Sequence, residues 1–67
     1  MLTPAHFTDA RIADIEGGAS LTEEERSFLI EDTARMEECS YSEDELRGMG
    51  DKKLMATAYS AWVDYCR

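Results

Sequence analysis

Asp51-Lys52-Lys53-Leu54-Met55-Ala56-Thr57-Ala58-Tyr59-Ser60-Ala61-Trp62-Val63-Asp64-Tyr65-Cys66-Arg67 is the stretch whose reading decides the fold. Leu54, Ala58, Ala61 and Tyr65 recur at helical spacing and so share one face. Met55, Tyr59, Trp62 and Cys66 form a second row beside them, and Lys53, Thr57, Ser60, Asp64 and Arg67 make a polar stripe. The apolar surface is wider than the roughly 100° stripe of an ordinary surface helix. A helix of this kind is either central, touched from both sides with Trp62 as the core anchor, or it turns one row toward a partner through Tyr59, Trp62 or Tyr65. Aromatic side chains suit the second role because they bury large area at low entropic cost. Asp51 reads as the N-cap, its carboxylate accepting an early free backbone N–H.

Working outward, the whole chain of 67 residues is one domain. A single core in so short a chain rarely supplies more than roughly 3–5 kcal/mol of net stability, so caps, a dimer interface or a partner must contribute. A hydrophobic content of 43% excludes wholesale disorder. No apolar run approaches the roughly 18 residues of a membrane span. Met1-Leu2-Thr3-Pro4 carries neither a basic region nor an apolar signal core, which predicts a cytoplasmic protein with no membrane partner. Cys39 and Cys66 are then reduced thiols packed as small apolar residues. Their separation matches no CxxC or zinc spacing, and a disulfide tying the last helix to the end of the preceding one is the alternative.

Going back to the start, Thr3-Pro4 reads as an N-cap followed by proline at the first helical position. Thr8 offers a second start. Phe7, Ala10 and Ile15 lie near one face of a first helix of two or three turns, with Ile12 to one side, and Gly17-Gly18 stops it. The second helix opens with two overlapping capping boxes, Ser20 to Glu23 and Thr22 to Glu25. Its buried stripe is Phe28, Leu29, Thr33, Met36 and Cys39, widened by Ile30 and Ala34, and the pattern carries it to about Glu38. Ser42 to Glu45 is a third box, with Tyr41 and Leu46 at the positions of a hydrophobic staple. Gly48 and Gly50 end that short helix around Met49, which plugs the core from the loop. No segment alternates with period two. The fold class is therefore all-α, a small bundle of about four helices, two long and two short, with no sheet.

Charge is the informative bulk property. The chain carries fifteen Asp and Glu against seven Lys and Arg, a net of −8. Ten of the acids fall between Glu23 and Glu45, opposed there by Arg26 and Arg35 alone, so this window holds the whole net charge. Glu24, Glu31 and Glu38 are seven apart, which sets them roughly 10 Å apart on one face of the second helix. Glu23, Asp32 and Glu37 flank that line, and Glu43, Asp44 and Glu45 extend it. Such a row imitates the charge of a phosphate backbone and offers Lys and Arg the pairs they make with phosphates. The plainer reading is a solvated helix face, since acidic first turns stabilise helices and net charge keeps a small domain soluble. Either way, an acidic surface repels nucleic acid and anionic membranes and suits a basic protein surface.

Chemistry finds little purchase. There is no P-loop, no G-x-S-x-G, no HExxH and no Cys/His pair at a motif spacing. No calcium loop of the D-x-D-x-D-G type is present, and His6, the lone histidine, reads as a surface residue. No catalytic, metal-binding or cofactor-binding residue is assigned.

With Tyr41-Ser42-Glu43-Asp44-Glu45-Leu46 and Ala58-Tyr59-Ser60-Ala61-Trp62-Val63-Asp64-Tyr65 as its most distinctive stretches, the chain resembles in type the small anti-CRISPR proteins that bacteriophages and mobile elements encode. They too are tiny, acidic, single-domain and without a catalytic motif. The resemblance implies a stoichiometric inhibitor acting in the host cytoplasm. It would block a basic nucleic-acid-binding surface of a CRISPR effector subunit by DNA mimicry. The contact residues would be Glu23, Glu24, Glu31, Asp32, Glu38, Glu43 and Asp44, with Tyr59 from the aromatic row. The competing reading is a helical assembly module, monomer or homodimer, that docks through the aromatic row of the last helix and uses no mimicry.

Overall fold

The computed structural model describes Leu2 and residues 4–67. Four α-helices follow a short opening 3-10 helix, Pro4–Phe7: α1 (Asp9–Glu16), α2 (Glu23–Ala34), α3 (Glu43–Arg47) and α4 (Asp51–Tyr65). No strand occurs among the described residues. The expectation of an all-α bundle with two long and two short helices therefore holds.

The expected single first helix is divided. Thr8 adopts an extended backbone and its Oγ1 accepts the Arg11 N–H at 3.2 Å, which starts α1 afresh after the 3-10 helix. Phe7 therefore does not share α1's register. Phe7 and Ile15 are buried, whereas Ala10, expected on their face, is exposed. The Thr3 cap lies outside the described residues. At the other end of α1, Ala19 N–H reaches Asp14 C=O at 2.9 Å and Gly18 N–H reaches Ile15 C=O at 3.1 Å, a Schellman closure. That closure needs one residue in the left-handed region, and Gly18 supplies it with φ 105°.

For α2 the Thr22–Glu25 box forms, both reciprocal bonds being present, and the Ser20–Glu23 alternative does not cap the helix. The helix ends at Ala34, a turn earlier than the expected Glu38. Met36 and Cys39 continue with tight bonds to Thr33 and Met36 carbonyls instead. The reason is electrostatic: Glu37 and Glu38 would put two carboxylates at the negative end of the helix dipole, and α2 has no basic residue in its last turn. The Ser42–Glu45 box caps α3 as expected, with Leu46 fully buried and Tyr41, its expected staple partner, 39% exposed.

α4 packs mainly on α2 and also on α1, and α3 leans on α2. Leu54, Ala58 and Ala61 are buried on one face with Met55 beside them; Leu54, Met55 and Ala58 join Ile15, Leu29, Ile30 and Leu46 in one core cluster, which Met49 seals from the loop before α4. The Cα frame spans 28 × 26 × 16 Å, and the thin dimension admits two layers of helix at most. That thinness leaves Tyr59 and Tyr65 exposed and Trp62 half-buried against the core, so the helix is central along one face only.

Asp51 corrects a local expectation. Gly50, not Asp51, occupies the cap position of α4, without a side-chain bond. The Asp51 carboxylate points across the bundle and accepts Leu21 N–H at 3.1 Å and Arg26 Nη1–H at 2.9 Å.

Candidate partner-binding surface

The acidic residues sort into two sets according to what the fold gives them. Glu25 and Glu45 fold back on their own helix starts, each accepting the backbone N–H of its N-cap residue. Glu25 also takes a two-pronged pair from Arg11, at 2.6 and 3.1 Å, which fastens α1 to the start of α2. The Thr22 N–H, then Arg11, hold its carboxyl below the ordinary value, against a partial burial that pushes it up. Glu43 pairs with Arg47 one turn along α3 at 2.7 Å.

The second set is Glu23, Glu24, Glu31, Glu37, Glu38 and Asp44, all exposed and none in an ion pair among the described residues. The sequence sets Arg26 against them, but Arg26 is turned away. Its Nη1 serves Asp51, and its Nη2 donates to the carbonyls of Arg47, at 2.7 Å, and of Met49. Arg11 and Arg47, both from outside the acidic window, neutralise Glu25 and Glu43, and the charge that remains is concentrated on the second set.

Of the proposed row, Glu24 and Glu31 stay on the exposed side of α2, with Glu23 in its first turn. Glu38 leaves the row because α2 has ended. It stands with Glu37 in the turn after the helix. A shallow groove between α2 and α3 is lined by Glu31, Ala34, Arg35 and Glu43, so those two carboxylates do meet one surface feature. Asp44 is exposed at the head of α3.

Asp32 and Glu38 belong to a different feature, a groove of about 400 Å³ at the far end of α2. Leu2, Met36, Trp62 and Tyr65 supply its apolar lining. Asp32, Glu37 and Glu38 bring carboxylates to it, with Arg35 the one cation among the described residues that line it. Acidic face and aromatic row, which the sequence offers as alternatives, therefore meet here. Sequence reasoning did not join Met36 and Glu37 to Trp62. The signal was absent because a helix continued to Glu38 carries Glu37 in another direction.

Tyr59 is already engaged. Its ring lies 5.6 Å from Phe7 and 6.2 Å from Trp62, and Phe7 stacks on Trp62 at 5.2 Å. Tyr65, at 49% exposure, is the more open aromatic of α4. His6 is half-buried rather than out on the surface, stacked on Phe28 at 4.5 Å. Cys39 is half-buried and Cys66 exposed, both free thiols.

Among the described residues, no group of three His, Cys, Asp or Glu is placed to hold a metal ion. No helix is long and apolar enough to cross a membrane. Comparison of the chain with protein families, with curated proteins and with solved structures finds no match.

Proposed function

We propose that this chain is a stoichiometric protein-binding inhibitor of the anti-CRISPR type, which occupies a basic nucleic-acid-binding surface of a CRISPR effector in the host cytoplasm and excludes its nucleic acid. It works by occupancy, without catalysis or cofactor. One arrangement supports this reading: Glu23, Glu24, Glu31 and Asp44 are exposed and in no ion pair among the described residues, while Arg26, the cation within α2, is committed to Asp51. Carboxylates held on a helix outer face and at a helix head need no backbone ordering on binding, and they present the charge that Lys and Arg of a DNA channel meet on phosphates. The test adds tagged protein to lysate of a CRISPR-carrying bacterium and elutes with rising salt, then measures DNA binding by the recovered effector. An effector subunit released by salt, whose DNA binding disappears at one equivalent of protein, is the expected result. DNA binding that persists at one equivalent overturns the reading.

A second reading, a helical assembly module, has one observation in its favour: Tyr65 stands half-exposed beside Trp62 on α4. It requires a dimer or a docked helix that Tyr65→Ala disrupts while substitutions at Glu24 and Glu31 are silent.

A further inference from the structure

We infer that the groove between the end of α2 and α4 seats an arginine-bearing segment of the protein partner, the guanidinium lying against Trp62 and Tyr65 and forking toward Glu37 and Glu38. The inference rests on the reading of this chain as a binder of basic protein surfaces, and it names the part of the partner that is read.

Three observations converge on it. The groove has an apolar lining, Met36, Trp62 and Tyr65, on the side of α4 that the bundle leaves open. Glu37 and Glu38 stand at the same groove, exposed and in no ion pair among the described residues, of which Arg35 is the one cation lining it. Its volume, about 400 Å³, falls at the lower end of the range for ligand sites, which suits one or two side chains better than a whole helix. Charge then selects the occupant. An anionic ligand meets carboxylates inside a protein of net −8, and a second copy of the chain brings the same charge with it. A purely apolar segment leaves the carboxylates without partners. Arginine satisfies both halves of the groove, because its planar, weakly hydrated guanidinium stacks on aromatic faces and grips carboxylates with paired N–H donors. Lysine offers a compact, strongly hydrated charge and matches only the carboxylates.

Trp62 is the single tryptophan, so its emission reports directly from the groove. The experiment titrates the full chain with a capped hexa-arginine peptide and, at matched charge, with hexa-lysine. Hexa-arginine is expected to change Trp62 emission saturably, with half-saturation about three- to fivefold lower than for hexa-lysine, the margin of a stacked cation. Glu37→Gln with Glu38→Gln is expected to raise the half-saturation about five- to tenfold, as the loss of charge-assisted hydrogen bonds at an open site requires. Tyr65→Ala, at an exposed position that the fold does not need, is expected to erase the preference for arginine over lysine. Asp14→Asn with Glu16→Gln, which removes the same charge from exposed positions of α1 away from the groove, leaves the titration unchanged. A silent Trp62, or equal responses to the two peptides, overturns the proposal. So does emission that varies with protein concentration alone, which identifies a second copy as the occupant. The two readings fail separately. An effector bound and blocked while Trp62 ignores hexa-arginine removes the groove and leaves the inhibitor. A groove that selects arginine in a chain that leaves effector DNA binding intact removes the inhibitor and keeps the groove.

Discussion

Arg26 of α2 and Asp51, the first residue of α4, meet at 2.9 Å, both side chains about one-quarter exposed. The pair does more than join two helices. Asp51 also holds Leu21 N–H ahead of α2, and Arg26 also holds the carbonyls of Arg47 and Met49 ahead of α4. Two chain entries are thus locked by one ion pair. Asp51→Ala strands the guanidinium and the Leu21 amide together, and is expected to destabilise the fold by about 1.5–3 kcal/mol in urea unfolding. Asp51→Asn, which keeps an acceptor for Leu21, is expected to cost less. Equal stability of the alanine variant and the parent removes this lock.

Thr33 is fully buried on α2 and its Oγ1 has no hydrogen-bond partner among the described residues. Replacing the hydroxyl with a methyl of similar size removes an unsatisfied polar group, so Thr33→Val is expected to stabilise by about 1 kcal/mol. Differential scanning calorimetry reads this as a higher Tm. A lower Tm shows that the hydroxyl is satisfied in solution.

Leu54, not Trp62, is the deepest large side chain of α4. Leu54 is wholly inaccessible, whereas Trp62 is half-buried and stacked on Phe7. Leu54→Ala is expected to cost about 2–5 kcal/mol, enough to abolish cooperative unfolding in a domain of this size. Trp62→Phe, which can keep a ring against Phe7, is expected to cost less than about 1.5 kcal/mol. The reverse order in thermal melts returns Trp62 to the centre of the core.

The lowered pKa of Glu25 gives a pH signature. A carboxyl whose folded pKa lies below its unfolded one contributes stability that is complete above the unfolded value and lost as pH falls through the folded one. Its ordinary value is 4.5. Glu25→Gln keeps the side-chain acceptor of the capping box and loses the charge that meets Arg11. The parent is therefore expected to be the more stable protein above about pH 5, and the gap should close as pH drops below the ordinary carboxylate value. Other carboxylates titrate in both proteins and cancel. A gap that is constant with pH removes the contribution of Glu25.

Local chemistry carried most of the fold into view. The Thr22–Glu25 and Ser42–Glu45 boxes, the Gly17-Gly18 stop and the buried spacing of Leu54, Ala58 and Ala61 are contacts between near neighbours, which a sequence displays directly. What escaped was decided at a distance. Asp51 has a good cap's chemistry, yet the Leu21 amide and Arg26, far away in sequence, take its carboxylate first. The end of α2 escaped because the apolar period runs on through Met36 and Cys39 while the dipole disfavours Glu37 and Glu38. The acidic composition of the candidate surface was legible. Its division into an outer part at Glu24 and Glu31 and a groove at Glu37 and Glu38 followed from that missed helix end.

The most direct measurement is the affinity of the recovered effector for the parent chain and for Glu24→Lys/Glu31→Lys, taken across a range of salt concentrations. Both positions are exposed, and circular dichroism verifies that the variant folds. Charge-driven occupation of a nucleic-acid-binding surface predicts an affinity that falls steeply with salt, a variant weaker by about tenfold or more at low salt, and a gap that narrows as salt screens it. Affinity indifferent to salt, or a variant that binds as well as the parent, contradicts it.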